Sequence, residues 1–299
     1  MSARRDPYAF LAVAARYVEA FRPHAHVLKI SGALLERPAA REALLDQCAI
    51  LTRLGLRFVL VHGGGAQIDE RCRARGLGTE KIDGRRPTTP AVLAVLQEVY
   101  GELRAALLTG LGERGIPAEG AAAAGAGLRA RRRPPVAVAG RSVDFGEVGD
   151  LETPDPAPLA SALAGGRLVV LSPLCAGGDA GLLNVNADTV AAACACALGA
   201  AKLVFLLGVP GLLRDPERPE TLLHFGDRAD LDGLVSSGAC RDGMAVKARA
   251  VLSALDGGVR AVHLIDGTDP HALLREILTN EGAGTMLVGD RAAYRPETP

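Results

Sequence analysis

Three charged residues stand where a globular chain rarely places charge. Lys29 is the next-to-last residue of the apolar segment H-V-L-K-I, and Asp188 lies in N-V-N-A-D-T, before a very apolar stretch. Lys247 lies in G-M-A-V-K, inside a predicted helix. Because a buried lysine is costly unless it is paired or bound to an anion, Lys29 already indicates either an ion pair or an anion site. Alone, Asp188 is also typical of a helix cap or first-turn acid, and Lys247 of a solvated helix residue.

A glycine-rich turn follows the segment F-V-L-V at residues 58–61. A short apolar run of this kind is typical of a central parallel strand that is covered on both faces. Gly63, Gly64 and Gly65 carry no Cβ, so their amides can approach an anion at the start of the next helix. The spacing matches neither G-x-G-x-x-G nor G-x-x-x-x-G-K-[ST]. A tight strand-to-helix turn and a phosphate site therefore both remain open here.

Together, these residues suit the transfer of a phosphoryl group to a carboxylate. Such transfer depends mainly on positioning and on neutralising charge. A carboxylate acceptor is ionised at pH 7, so it needs no general base and His62 would be superfluous. Repulsion between two anions is the main obstacle, and two lysines separated by a carboxylate, with glycine amides nearby, would reduce it.

The elements that must position these residues alternate between strands and helices. Strands are predicted at residues 26–30, 58–61, 168–172, 202–207 and 261–265, with a short edge strand at 284–288. Helices are predicted at residues 8–21, 41–54, 66–75, 91–113, 188–198, 244–255 and 270–278. This alternation predicts βαβ units with right-handed crossovers in a mostly parallel sheet. Ligands should then bind at the carboxyl ends of the strands, where Lys29 and the three glycines emerge.

Other segments carry weaker signals. Residues 82–89 are predicted as a loop or short hairpin, residues 120–135 as a solvated hairpin or loop, and residues 143–150 as a hairpin arm. In the first helix, one apolar stripe needs a partner, either in another subunit or in its own domain. The stripe consists of Phe10, Val13, Ala14, Tyr17 and Phe21.

Length and composition set the outer bounds. The 299 residues suit one large α/β domain or two lobes, and the 34 basic and 34 acidic residues give no indication of nucleic-acid or membrane binding. The N-terminus leads into an amphipathic segment rather than a secretory one, so we expect a cytoplasmic protein. Six cysteines form no C-x-x-C pair and are predicted to be small, reduced core residues, with no protein-held metal site.

The motifs, taken in order, resemble those of the amino acid kinase superfamily, most closely its N-acetylglutamate kinases. The resemblance extends from residue 17 to residue 288. It rests on V-L-K-I-S-G, V-L-V-H-G-G-G-A-Q-I, I-D-G-R-R-P-T, N-V-N-A-D-T-V-A and G-M-A-V-K. It implies an α/β fold, a three-layer αβα sandwich with a mainly parallel sheet. Its implied parts are an oligomerisation helix (1–24), an acyl-substrate lobe (25–181) and a nucleotide lobe (182–299).

The resemblance also implies an activity and a set of site residues. The activity is phosphorylation of N-acetyl-L-glutamate, or a close relative, to an acyl phosphate by ATP with Mg²⁺. Lys29 and Lys247 would stabilise the transferring phosphoryl group, and Asp188 would organise the two lysines. The implied substrate residues are Gly63, Gly64, Arg86 and Asn184, and the implied nucleotide residues are Gly32, Gly208, Gly211, Gly243 and Met244. Arginine suits a bidentate grip on a carboxylate for physical reasons as well.

The first helix resembles that of arginine-inhibited, hexameric members of the family. The resemblance implies a homo-oligomer, at least a dimer, whose first helix joins dimers into the hexamer. It also implies an arginine effector site that involves Tyr17 with Phe21, His271, Glu281 and Gly284.

Three motifs depart from the family pattern. Ser31 replaces a glycine before Gly32, the turn L-G-V-P-G at residues 207–211 lacks two polar side chains, and Gly125-Ala126-Gly127 replaces a polar hairpin. These changes leave two alternatives open. One is a catalytically weak sensor of arginine or an acylamino acid, and the other is a kinase for a different N-acyl substrate.

Overall fold

The computed structural model describes residues 7–82, 84–138, 140–215, 217–240 and 242–295. The strands are β1 (Ala25–Ile30), β2 (Arg57–His62), β3 (Ala118–Ala122), β4 (Ala130–Arg132), β5 (Val136–Val138), β6 (Arg141–Val143), β7 (Gly149–Leu151), β8 (Leu168–Ser172), β9 (Leu174–Ala176), β10 (Leu182–Asn184), β11 (Lys202–Leu207), β12 (Phe225–Asp227), β13 (Ala261–Asp266) and β14 (Gly284–Val288). The helices are α1 (Pro7–Phe21), α2 (Gly32–Leu35), α3 (Pro38–Arg53), α4 (Gly65–Ala74), α5 (Pro90–Glu113), α6 (Ala157–Ala164), α7 (Ala187–Ala197), α8 (Arg228–Ser236), α9 (Asp242–Asp256) and α10 (Ala272–Leu278).

The main sheet has eight strands in the order β12-β14-β13-β11-β1-β2-β8-β3. Every neighbouring pair is parallel except β13 and β14. Alternate side chains of β1 enter different cores, because Val27 packs on the side of α7 and α9 whereas Leu28 packs on the side of α3 and α10. Helices thus cover both faces of the sheet, and the predicted three-layer α/β fold is confirmed.

The carboxyl ends of three neighbouring central strands lie side by side. The strands β1, β2 and β11 are neighbours, and they end at Ile30, His62 and Leu207. The Gly63 amide donates to the Ile30 carbonyl over 2.8 Å, which holds the first glycine of the turn beside the end of β1. Lys29 and the glycine-rich turn therefore emerge together, as the strand pattern predicted.

The outer strands of the sheet differ from the prediction. The predicted edge strand at residues 284–288 lies inside the sheet, because the short strand β12 pairs with its outer side. At the opposite edge, β3 occupies part of the predicted loop at residues 120–135 and pairs with β8. The alanine run that follows is also buried, at Ala123 and Ala126. Residues 143–150 do not form one hairpin arm, since β6 ends and β7 begins within them.

Helix α1 divides into a buried half and an exposed half. Tyr17 and Phe21 are buried against the chain's own core, with the Lys202 ammonium 4.9 Å from the Phe21 ring centroid. By contrast, Phe10 and Val13 are 53% and 39% exposed. The second half of the predicted stripe therefore packs in its own domain, whereas the chain itself does not cover Phe10 and Val13. None of the helices in the described ranges is long and apolar enough to cross a bilayer.

Candidate active site

A buried aspartate joins the two lysines that the sequence singled out. The Lys29 ammonium lies 2.7 Å from Asp188 Oδ1, and the Lys247 ammonium lies 2.9 Å from Asp188 Oδ2. Lys29 comes from β1, Asp188 from the first turn of α7 and Lys247 from the second turn of α9. The three side chains are at most 10% exposed, so the two cations are held close together in a largely dry environment.

Burial and charge set the ionisation of this trio. Burial alone would raise the pKa of the Asp188 carboxyl, but the Lys29 and Lys247 ammonium groups outweigh it and lower the pKa to about 2. Burial, followed by repulsion from Lys29, lowers the pKa of Lys247 to about 8. Asp188 is therefore ionised at neutral pH, and Lys247 is mostly protonated but close to its titration range. A second anion near the lysines would favour their charged forms.

The cap of α7 explains why Asp188 is available for this role. Asn186 is the N-cap, and its side-chain oxygen accepts from the Asp188 and Thr189 amides over 2.8 and 3.2 Å. Because the preceding asparagine satisfies the end of the helix, the Asp188 carboxylate is free to hold the lysines. The N-x-N-A-D pattern contained this signal, although the sequence analysis left open a capping role for Asp188 itself.

The glycine turns at the ends of β1 and β2 lie against each other. A Cβ on Gly32 would be 2.8 Å from the Gly64 Cα and 2.5 Å from Gln67 Oε1, a space that only glycine fits. The Gln67 amide donates to the Gly32 carbonyl over 2.8 Å and ties the two turns together. Ser31, the departure from the family pattern, caps α2 by accepting from the Leu34 amide over 3.2 Å. Its hydroxyl therefore serves a local structural purpose.

Two polar side chains form the opposite wall of the site. The Arg86 guanidinium contacts the Asp69 carboxylate from α4, while its Nη1 is buried without a hydrogen-bond partner. Asn184, the last residue of β10, donates to the Thr88 hydroxyl over 3.0 Å, and this hydroxyl donates to the Arg86 carbonyl over 2.9 Å. The two predicted substrate residues are thus linked through Thr88. The sequence analysis missed Asp69 and Thr88.

A cavity of about 450 Å³ lies between Lys29, the two glycine turns and the wall formed by Arg86 and Asn184. Its lining includes the predicted residues Lys29, Gly32, Gly63, Gly64, Arg86 and Asn184. It also includes Lys81 and Arg85, so its charged lining is mainly cationic, with Asp69 as its carboxylate. Ile68, Leu96 and Tyr100 add an apolar wall. Such a cavity suits a small anion that also carries an apolar group.

The other predicted nucleotide residues lie outside this cavity. Gly208 directly follows β11, and Gly211 lies three residues further along the same turn, with its backbone against Thr285. Gly243 and Met244 are in the first turn of α9, four and three residues before Lys247. The structure thus places these four residues at the ends of elements that reach the site, and their role stays a prediction.

A second cavity, of about 470 Å³, lies near the amino ends of β1, β11 and β13. Among the residues predicted for an effector site, it is lined by Tyr17, Phe21, Glu281 and Gly284 but not by His271. His271 is exposed at the start of α10, and it does not line the cavity with the other residues predicted for the effector site.

The polar base of this second cavity was not predicted. It includes Lys202, which donates to the Glu276 carbonyl over 2.9 Å, and a buried His263–Glu276 pair with 2.6 Å between Nδ1 and Oε1. Burial alone would raise the pKa of the Glu276 carboxyl, but His263 and Lys202 lower it to about 2. In the sequence, the only indication of this polar base is a lysine or a histidine within a predicted strand, at Lys202 and His263.

Comparisons with known proteins agree with this geometry. The model of the Amino acid kinase family matches residues 25–266. A protein of Myxococcus xanthus (strain DK1622) named acetylglutamate kinase is 44% identical over 295 residues, covering 96% of each chain.

Solved structures give the same picture. The N-acetylglutamate synthase of Neisseria gonorrhoeae, solved with coenzyme A and N-acetyl-glutamate, aligns with a TM-score of 0.83 at 27% identity. The alignment covers 95% of the present chain, which spans 64% of the synthase chain. The same synthase solved with coenzyme A and L-arginine aligns with a TM-score of 0.82 at 25% identity, covering 95% and 66% of the two chains. With its paired lysines, glycine turns and parallel sheet, the chain belongs to the amino acid kinase family.

Proposed function

We propose that the protein transfers the γ-phosphoryl group of ATP to the side-chain carboxylate of N-acetyl-L-glutamate, giving an acyl phosphate and ADP. The observation that carries this proposal is the buried Lys29–Asp188–Lys247 arrangement beside a cationic cavity. The similarity to curated acetylglutamate kinases supports the choice of substrate.

The trio suits the charge changes of this reaction. The attacking carboxylate and the transferring phosphoryl group are both anionic, so they repel each other until cations screen them. Lys29 and Lys247 supply two fixed positive charges, and Asp188 holds them near each other before either ligand arrives. Such preorganised charge costs no rearrangement at the moment of transfer and is ordinarily the largest catalytic contribution. No protein base is needed, because the acceptor is already ionised.

The acylamino acid is proposed to bind in the 450 Å³ cavity. Arg86, held by Asp69, grips the α-carboxylate through its unpaired Nη1, and Asn184 holds the substrate from the facing side. The Leu96 and Tyr100 wall suits the acetyl methyl group. Gly64 is proposed to offer its backbone amide to the acyl substrate and the phosphoryl group. The Gly63 amide donates to the Ile30 carbonyl, so Gly63 contributes the space that its missing side chain leaves.

ATP is proposed to approach from residues 182–299, the nucleotide lobe, and the acylamino acid from residues 25–181. Gly32, Gly208, Gly211, Gly243 and Met244 are its proposed contacts. Mg²⁺ enters with the triphosphate and is held chiefly by phosphate oxygens and water. Within the described ranges, no cluster of three or more His, Cys, Asp or Glu side chains suits a metal ion, and lysines occupy both Asp188 oxygens.

Isothermal titration with Mg-ATP and then with N-acetyl-L-glutamate tests this function, together with a coupled assay for ADP. We expect both ligands to bind and ADP release to be lost in Lys29→Ala. Arg131→Gln is the matched control, because Arg131 is an exposed cation on β4 that does not line the cavity. Failure of Mg-ATP to bind at millimolar concentration would refute the kinase and favour a sensor. Turnover only with other N-acylamino acids would refute the proposed substrate.

The proposed location is the cytoplasm, which cell fractionation can check.

The second cavity is proposed to bind arginine as an inhibitor. Tyr17, Glu281 and Gly284 line it, and the related gonococcal synthase was solved with L-arginine. The exposed Glu281 carboxylate suits a guanidinium or an α-ammonium group. We expect Glu281→Gln to raise the arginine concentration for half-inhibition while leaving uninhibited turnover unchanged. His271→Ala serves as a comparison, because His271 lies outside the cavity, and equal effects of the two variants would contradict the assignment.

The exposed half of α1 is proposed to join subunits into a homo-oligomer, a dimer at least and a hexamer in the complete assembly. Tyr8, Phe10 and Leu11 are 79%, 53% and 61% exposed, a large apolar surface for a helix end. Light scattering of Phe10→Ser/Leu11→Ser should show a smaller particle than the wild type. An unchanged mass would refute this role of α1.

A further inference from the structure

A smaller cavity, of about 170 Å³, lies beside the active site and is lined by three arginines. Arg85 comes from the loop before α5, Arg133 follows β4, and Arg249 lies on α9. The remaining lining consists of Asn186, Thr189, Val246, Ala250 and Ser253. Among the described residues, this lining contains no acidic side chain. Three arginine residues from three separate elements therefore line one small space.

One carboxylate is shared between two of the arginines. Asp150 Oδ1 lies 2.6 Å from Arg133 Nη1 and 3.7 Å from Arg85 Nη1. Arg133 Nε is buried and has no hydrogen-bond partner. A buried donor without an acceptor is unfavourable, and a guanidinium offers its donors in a fork that fits two oxygens of one anion. Asp150 therefore satisfies only part of the hydrogen-bonding capacity of Arg133.

The start of α7 adds to the positive potential of the cavity. Asn186 is the N-cap of this eleven-residue helix, Thr189 is in its first turn, and both line the cavity. The amino end of a helix carries a partial positive charge and favours anions. The helix end and the three arginines thus favour the same kind of ligand.

We propose that this cavity binds a compact, multiply charged oxyanion of the size of inorganic phosphate. The cavity has little more than a third of the volume of the active-site cavity, so a nucleoside phosphate does not fit. Arg85 and Asn186 line both cavities, and Arg249 lies on the helix that carries Lys247. An anion here bridges the segment before residue 182 and the segment after it. The proposal does not depend on the proposed kinase activity.

The experiment is calorimetric titration with inorganic phosphate at constant ionic strength. Phosphate can also bind at the catalytic lysines, so the titrations use the full chain carrying Lys29→Ala. In this background we expect one saturable site, at least tenfold weakened by Arg133→Gln and by Arg249→Gln. Arg131→Gln, which removes an exposed charge on the same hairpin, should change the affinity less than twofold. Asp150→Asn should tighten binding, because it removes the carboxylate that competes for Arg133.

Each of the following outcomes would overturn the proposal. Absence of a saturable site in the Lys29→Ala protein, or equal weakening by Arg131→Gln, would show that only the overall charge matters. Displacement of the bound phosphate by AMP would show that the ligand is a nucleotide and not a compact oxyanion. The gain expected from Asp150→Asn keeps the test decisive even if one arginine variant fails to fold.

Discussion

The Asp69 carboxylate contacts Arg86 Nη2 at the wall of the active-site cavity. The Arg86 side chain is only 6% exposed, and its other terminal nitrogen, Nη1, is buried without a partner. One half of the guanidinium is therefore fixed by α4, while Nη1 has no acceptor among the described residues. We infer that Asp69 positions Arg86 for its proposed contact with the substrate carboxylate.

Asp69→Asn should weaken binding of the acylamino acid without changing the chemical step. A hydrogen bond between charged groups contributes about 1.5–3 kcal/mol, so we expect KM for this substrate to rise about 10- to 100-fold. The kcat and the KM for ATP should change little. Steady-state kinetics at saturating ATP check this, with Glu102→Gln, which breaks an exposed ion pair with Arg71, as control. An unchanged KM, or an equal fall in kcat, would contradict the positioning role.

Asp188→Asn should damage both stability and turnover. The substitution leaves two ammonium groups buried without their shared carboxylate, and breaking such a pair typically costs about 3–5 kcal/mol of unfolding free energy. We expect kcat to fall at least about 100-fold, because the two lysines then repel each other. Urea unfolding and single-turnover ADP release measure the two effects. Asp46→Asn, at the exposed pair with Arg114, is the control, and comparable losses in both variants would argue against a special role for Asp188.

Deprotonation of Lys247 should make activity fall on the alkaline side of its pH profile. Its pKa is lowered to about 8 by burial and by Lys29, so the ammonium loses its proton as the pH rises through 8. Because the charged form is proposed to stabilise the transferring group, kcat/KM should fall above about pH 8. Bound triphosphate favours the ammonium, so the limb in kcat should lie at higher pH. Lys247→Arg keeps its charge and should remove the limb from whatever activity remains. A limb at the same pH in this variant would exclude Lys247 as its source.

Asp188 and Glu276 should contribute to the loss of stability in acid. Both pKa values are lowered to about 2, below the values of unfolded carboxyl groups. Their contribution to stability is present above about pH 4 and is lost as the pH falls through 2. Urea unfolding between pH 2 and 6 should show this loss, with a weaker pH dependence in Glu276→Gln. An identical pH dependence in the variant and the wild type would rule out a contribution from Glu276.

Gly32→Ala should disrupt the contact between the two glycine turns. The new methyl group would lie 2.5 Å from Gln67 Oε1 and 2.8 Å from Gly64 Cα, so the backbone must shift. Overpacking of this kind costs about 1–3 kcal/mol. We expect a higher KM for ATP together with lower stability in urea. Gly101→Ala, on α5 with no atom within 4 Å of its added methyl group, is the matched control and should be neutral or stabilising.

The sequence predicted the centre of the fold better than its edges. Lys29 and Gly63 were identifiable because buried central strands are continuous apolar runs, in which a charge or a glycine stands out. The edge strand β3 has the sequence A-E-G-A-A, without β-branched or aromatic residues, and β12 is only three residues long. Both strands form because a neighbouring strand offers a free edge, which is tertiary information that local pattern does not contain.

In the site, the sequence pattern identified charged residues and glycines that stand out beside apolar segments. It did not identify the residues that hold them in place. Asp69 lies in a short polar helix, where a carboxylate is ordinarily solvated, and Arg86 is 17 positions away. Ser31 departs from the family pattern, and its bond to the Leu34 amide became visible only in the structure. Such roles depend on contacts between segments, and a single sequence does not reveal those contacts.

Among the described residues, the two large cavities share no lining residue. They lie at opposite ends of β1, where Phe21 packs on His26 at one end and Lys29 pairs with Asp188 at the other. Any influence of a ligand in one cavity on the other must therefore pass through the protein. Thermodynamic linkage makes such an influence mutual. If arginine weakens acylamino-acid binding by some factor, the acylamino acid weakens arginine binding by the same factor. Substrate abundance would then desensitise the protein to its own inhibitor.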